Sequence, residues 1–226
     1  MRPIIIITFF ICSTLSCFAQ HTSTIPLAKF NEVKVYDRIT VNLVKGKENK
    51  LVLSGDDKED VSVVETNGLL KIKMAINETL SGNTVNAKLF YTEELKVIDA
   101  NENARIVSTD MIKSSTIEIR SQEAAVITLN IDVTTLKAKS TTGSEIKLSG
   151  TTHTQDANIN TGGKLYNKAL KSKSTSVTVL GGGKAEVYAS EKIIAKVKAG
   201  GSIQIYGNPK TRDTDDTFGG KIEFNN

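Results

Sequence analysis

The chain has 226 residues, a formal net charge of +4, 5% aromatic residues and no tryptophan. That length suits one long domain or two small ones and is enough to bury a substantial core. Lysines and acids are interspersed, which excludes a nucleic-acid footprint or a polybasic membrane patch as the organising feature. Ile, Val, Thr, Ser and Gly carry the pattern instead, as strands joined by tight turns require.

Residues 1–19 have the layout of a signal peptide. Arg2 supplies a positive start, Ile4 to Ile11 an apolar run, and Cys17-Phe18-Ala19 precedes Gln20, which places cleavage after Ala19. The apolar run is too short to span a bilayer, and no later segment approaches that length. The mature chain is therefore expected to be exported without a transmembrane span, to the periplasm, the outer-membrane surface or the medium. A second reading takes Thr14-Leu15-Ser16-Cys17 as a lipobox with a lipid anchor on Cys17, although Leu15 lies one place closer to the cysteine than is usual. Cleavage after Ala19 removes both Cys12 and Cys17, leaving neither disulfides nor thiol chemistry.

Residues 20–27 read as a flexible spacer and 28–226 as one domain. Within it, 28–94 supplies N-terminal strands. Phe30 to Val35, Ile39 to Leu43 and Leu51 to Leu53 alternate apolar and polar residues, and Lys45-Gly46-Lys47 turns the chain. Asp56 to Asp60 is an acidic surface turn, and Asn67-Gly68 between Val61-Ser62-Val63 and Leu70 to Met74 is a hairpin signal. Ile76 to Asn83 is a polar loop, after which Ala87 to Tyr91 returns to strand.

From 95 to 208 the chain repeats itself at about 20 residues. One column of inward candidates runs Val97, Ile117, Leu136, Ala157, Val177, Val197; a second runs Ile106, Ile127, Ile146, Leu165, Val187, Ile205. The corner between them bears glycine in the later turns, at Gly143, Gly162-Gly163, Gly181 to Gly183 and Gly200-Gly201. Six such turns describe an all-β fold, a single-stranded β-solenoid like a parallel β-helix, whose aliphatic side chains stack about 4.8 Å apart. A β-sandwich would not need matched columns. The strands of 28–94 and the tail 209–226 are expected to cap its ends.

Phe30-Asn31-Glu32-Val33, Val41 to Gly46, Val52 to Asp56 and Asn67 to Ile72 stand in the order seen in the family described as "putative auto-transporter adhesin, head GIN domain". The later Gly-Ser/Ala-x-Ile rungs and the closing Tyr206-Gly207-Asn208-Pro209 also resemble it, over about Ala28 to Phe224. One corner departs from it: Asp99 to Ala104 stands where the family often has a Ser-Gly-Ala-Gly type turn. The resemblance implies an exported bacterial β-solenoid of a kind widespread in Bacteroidetes, and it offers no catalytic residues to carry over.

The residues themselves carry no catalytic constellation, no cofactor loop and no metal cluster. His153 lacks a ligand set or a triad at the needed spacing. Gly181 to Gly183 is followed by neither Gly-Lys-Ser/Thr nor a helix, so it reads as a corner. Asp213-Thr214-Asp215-Asp216 lacks an EF-hand loop and reads as a solvated hairpin loop. One surface feature stands out. The residues following the second column are Val107, Thr128, Lys147, Tyr166, Tyr188 and Tyr206, so three tyrosines are expected to face outward on successive rungs. Such a row suits stacking against a glycan or a surface of another envelope protein; it also suits simple cover for the sheet. The expected function is a non-enzymatic envelope or cell-surface module for adhesion or ligand binding. Two alternatives are a polysaccharide-active β-helix enzyme and a structural scaffold. Against the enzyme, the outward acids Glu118, Glu145 and Glu186 are scattered among lysines.

Overall fold

The computed structural model describes residues 22–75 and 85–225. Residues 1–19, the expected signal peptide with Cys17, as well as His21 and the loop Ile76 to Asn83, lie outside the described residues. Strand accounts for 70% of the described residues, wound into a β-solenoid of about seven turns with rungs of about 19 residues. Among the described residues a single 3-10 turn, Lys58–Asp60, lies in the acidic stretch.

The N-terminal strands are β1 (Ser23–Pro26), β2 (Glu32–Val35), β3 (Thr40–Lys45), β4 (Lys50–Ser54), β5 (Val61–Thr66), β6 (Leu69–Met74), β7 (Asn86–Tyr91) and β8 (Val97–Ala100). Four long strands follow: β9 (Arg105–Ser121), β10 (Val126–Ser140), β11 (Glu145–Ile159) and β12 (Lys164–Leu180). The last are β13 (Lys184–Tyr188), β14 (Lys192–Lys198), β15 (Gly201–Tyr206), β16 (Thr211–Thr217) and β17 (Gly220–Asn225). Each long strand crosses both sheets, so its first half pairs in one ladder and its second half in the other. One face stacks β3, the first halves of β9 to β12, then β13, β15 and β17, all parallel. The other stacks β6, β2, β8, the second halves of β9 to β12, then β14 and β16.

The alternation of apolar and polar residues puts every second side chain inside, and the core is a continuous file of Val, Ile, Leu and Ala at 0–6% exposure. The glycine-bearing corner is a pair of left-handed residues repeated on every rung, from Asp37-Arg38 and Glu102-Asn103 through Gly181-Gly182 to Phe218-Gly219. Backbone bonds run along it like a rail: Asn103 N to Glu123 O (2.8 Å), Ala124 N to Thr142 O (3.1 Å), Gly143 N to Thr161 O (3.1 Å) and Gly162 N to Gly181 O (3.1 Å). At the opposite corner Ser114, Thr152 and Ser172 each donate a hydroxyl to the carbonyl two residues on, at 2.9 Å.

The expected columns hold as a ladder but not in register. Val97 pairs with Glu118, so Ile98 is the inward residue, aligned with Ile119. Leu136 aligns with Gln155, Val177 with Ala195, and Leu165 with Ala185, while Val187 and Ile205 belong one inward step further along. Val97 is off by one residue and so changes face; the other slips are of two residues, which preserve the face each side chain takes, so alternation cannot reveal them.

Both ends differ from expectation in detail. Of the spacer, Ser23–Pro26 forms β1, antiparallel to β4, because the sheet edge there offers it a partner. The N-terminal strands do more than cap. β2 sits between β6 and β8, and β3 between β7 and β9, so the earliest segment fills a coil between two later ones. Antiparallel β1, β4 and β5 close that end. At the other end Asp213 to Asp216 is not a hairpin loop: it lies in β16, parallel to β14, with Asp215 opposite Lys196. The tail is a final rung whose β17 half continues the apolar column with Ile222 and Phe224 and whose β16 half ends it in polar groups. Arg212, Thr214 and Asp216 align with the fully buried Ile193, Ala195 and Val197, and the Arg212 guanidinium lies 4.3 Å from the Phe224 ring. Inward charge on an edge strand opposes pairing with another chain.

Candidate functional site

Tyr166 on β12, Tyr188 at the end of β13 and Tyr206 at the end of β15 all lie half-buried on the outward side of the first face. They do not form one column. Tyr188 aligns with Tyr206, but Tyr166 aligns with Glu186 and, beyond it, Gln204. The expected row of three is therefore a pair and an offset third ring.

A local irregularity sets the geometry. Lys147 pairs with Tyr166 but Ser149 pairs with Ala169, so β12 carries one extra residue: a β-bulge. Asn167 turns fully inside, where its Oδ1 accepts from Leu148 N at 3.1 Å and its Nδ2 donates to Gln155 Oε1 at 2.9 Å. Lys168, Ala169 and Lys171 then all face solvent. In a regular strand Lys168 and Lys171, three apart, would lie on opposite faces.

Lysines cover the rings. Lys171 Nζ lies 3.9 Å from the centre of Tyr188, Lys184 5.6 Å from Tyr166, and Lys168 5.7 Å from Tyr206. Each such contact is worth about 0.5–1 kcal/mol where exposed. Between them Glu186, 8% exposed, receives Lys184 at 3.3 Å and Lys168 at 3.4 Å. The Tyr206 hydroxyl donates to Gln204 Oε1 at 3.2 Å, and the Thr175 hydroxyl crosses the core to Tyr188 O at 2.8 Å. A groove of about 110 Å³, bounded by Lys147, Ser149, Tyr166 and Lys168, runs beside the bulge. Sequence reading missed the lysines as partners of the rings, and the extra residue shows only in the true register, where Leu165 to Ala185 is a step of 20 residues and Ile146 to Leu165 one of 19.

Two other sites are polar. A cleft of about 470 Å³ opens at the second corner between Lys45, Tyr91, Glu94, Met111, Lys113 and Asp132. Extra residues in β9 between Val107 and Met111 make room for it. Its groups are largely engaged: Lys45 Nζ donates to Thr92 O at 2.6 Å, and Glu94 accepts from Ser115 N at 2.5 Å and Ser114 Oγ at 2.8 Å. Those bonds hold the Glu94 carboxyl below its ordinary range, the Ser115 amide contributing most. On the left-handed corner Asp37, Glu102 and Glu123 share a shallow depression with Arg38 and Asn103. There a hydrogen bond with Asp37, then burial and the charges of Asp37 and Glu123, push Glu102 up to about 7.

Glu118, Glu145 and Glu186 are not brought together. Glu118 lies on the second face, bound by Arg120 Nε at 2.7 Å, while Glu145 aligns with Lys164 on the first. Among the described residues no group of three or more His, Cys, Asp or Glu is placed to hold a metal ion, and no helix is long and apolar enough to cross a membrane.

Residues 29–209 match the family model described as "Putative auto-transporter adhesin, head GIN domain". A solved structure from Bacteroides fragilis, described as a "putative adhesin", is similar at a TM-score of 0.81 and 17% identity, covering 91% of this chain and 96% of that one. A "putative adhesin" from Parabacteroides merdae is similar at 0.71 and 15%, with 91% and 96% covered. A "Putative lipid binding protein" from Parabacteroides distasonis is similar at 0.69 and 16%, with 90% and 96% covered. At these identities the likeness shows the fold. No curated protein matches this chain in sequence.

Proposed function

This chain belongs to the family described as "Putative auto-transporter adhesin, head GIN domain", and on that premise we propose that it is an exported, non-enzymatic binding domain that attaches to an extended glycan. The observation that carries the reading is the ordered array of Tyr166, Tyr188 and Tyr206 with Lys168, Lys171 and Lys184 on one flat face. A β-solenoid holds such a face rigidly, since every rung is bonded to its neighbours along both sheets. Broad polar contact of this kind suits a chain lying across the rungs better than a small molecule, which needs an enclosing pocket. The signal peptide 1–19 supports export, to the periplasm, the outer-membrane surface or the medium.

The test is a glycan array probed with the purified protein and with Tyr188→Ala and Tyr206→Ala. The expected result is retention on a subset of glycans that both variants weaken while keeping the parent's melting profile. Unchanged retention by correctly folded variants would reject this face as the binding site. Exposure is tested separately, by adding protease to intact cells: cleavage places the domain at the surface.

A further inference from the structure

We infer that the ligand of this face is a polyanionic polysaccharide, gripped by Lys168, Lys171 and Lys184, with the tyrosines acting as supports for those ammonium groups instead of as open stacking platforms. This rests on the glycan-binding reading above and narrows its chemistry.

The first argument is occupancy. All three tyrosine rings already carry a lysine ammonium, at 3.9, 5.6 and 5.7 Å from the ring centres. A neutral sugar stacking on a ring would have to displace that cation, whereas an anionic group meets the ammonium directly and leaves the ring contact in place. Gly207 adds to the fit. A Cβ there would come within 3.0 Å of the Tyr188 ring, so the glycine leaves that ring room to lie flat against its rung.

The second argument is charge. On the outward positions of β13 and of the first halves of β11 and β12, Lys147, Lys164, Lys168, Lys171 and Lys184 are accompanied by only two acids, Glu145 and Glu186. Glu186 is shared between Lys168 and Lys184. Among the described residues, Lys147, Lys164 and Lys171 have no carboxylate within salt-bridge distance. Lys164 and Lys184 align on successive rungs, about 4.8 Å apart, while Lys147, Lys168 and Lys171 stand at other positions along the strands, so the cations form a patch that suits a polymer carrying repeated negative charges.

The third argument is construction. The bulge at Asn167 brings Lys168 and Lys171 to the same face, and it is held by two buried hydrogen bonds from the Asn167 amide. Asn167 is thus a positioning residue. A membrane surface is disfavoured because the large exposed apolar side chains Val64, Met111, Phe218 and Phe224 lie off β11 to β13, and Leu180 stands at the far end of β12, paired with β14 on the second face.

The experiment is interferometry of the immobilised protein against polygalacturonate, chondroitin sulfate, neutral dextran and phosphatidylglycerol vesicles, each at low and high salt. The expected result is binding to one or both acidic polysaccharides, weakened at high salt, with no binding to dextran or vesicles. Lys171→Gln should weaken it by about tenfold and Lys171→Arg should largely restore it, both with the parent's melting profile. Binding to dextran as strong as to the acids and independent of salt overturns the inference while leaving the glycan-binding face intact. Binding to vesicles but to no polysaccharide overturns both. So does acidic-polysaccharide binding that neither Lys171→Gln nor Tyr188→Ala weakens, since the ligand then sits elsewhere.

Discussion

Asn167 and Gln155 meet inside the solenoid, the Asn167 Nδ2 donating to Gln155 Oε1 at 2.9 Å, and so tie the first face to the second across the core. They are 0% and 2% exposed, on strands otherwise filled by aliphatic side chains. Asn167→Ala would leave the Leu148 amide and the Gln155 amide buried without that partner. The expected cost is about 2 kcal/mol, a fall in Tm of roughly 4–8 °C, read by calorimetry. The same variant should weaken polyanion binding by more than Lys147→Gln, because the bulge that aligns Lys168 with Lys171 is lost.

Two adjacent glycines should respond differently to alanine. Gly162 has φ +71° with nothing near its missing Cβ, so Gly162→Ala carries only the left-handed penalty, about 1 kcal/mol. Gly163 has an ordinary φ, but its Cβ would overlap the Ser140 carbonyl of the preceding rung. Gly163→Ala should therefore cost more, about 2–3 kcal/mol, because two rungs must part. Equal losses in a denaturant titration would count against this account of the corner.

Stability should fall as pH rises through the range set by the acidic corner. Glu102 is raised from 4.5 to about 7, first by its hydrogen bond with Asp37, then by burial and the charges of Asp37 and Glu123. A carboxyl whose folded pKa is raised contributes stability that is fully present below its unfolded pKa and is lost as pH climbs through the folded value. Between about pH 4.5 and 7 the melting temperature should decline, and Glu102→Gln should flatten that decline. A profile unchanged by the substitution would place the dependence on other groups. Arg38 faces the same depression as a nearby cation, with Asn103 beside it.

The last rung is kept from recruiting another chain by its inward polar column. Replacing Arg212 and Asp216 together by valine would continue the file of Ile193 and Val197 to an open edge. The double variant should self-associate at concentrations where the parent is unchanged, as measured by sedimentation velocity. A variant with the parent's sedimentation coefficient would mean that other features of the edge suffice.

Period-two alternation, a repeat near 20 residues and glycine at matched corners were enough to specify a β-solenoid, because stacking like rungs is the way such a chain buries all its apolar residues. The left-handed corners were readable for a local reason: Gly181-Gly182 and Gly200 tolerate positive φ at no steric cost. Equivalent corners at Glu102-Asn103 and Glu123-Ala124 carry no such mark, because the rail of bonds along the corner holds ordinary residues in that conformation. Register was beyond local reading: sliding Leu136 from Gln155 to Ala157, or Tyr166 from Glu186 to Tyr188, leaves every side chain on its proper face, and only pairing across the whole ladder decides. The seventh rung escaped notice because Arg212, Thr214 and Asp216 break the apolar column where no further rung covers it. So the residues alone determined the ladder and located the tyrosines, which depend on alternation within a strand. The tertiary structure alone decided that Asn167 bonds Gln155 across the core, that Lys168 and Lys171 share a face, and that the N-terminal strands enter the middle of a stack, because each depends on partners 12 or more residues away.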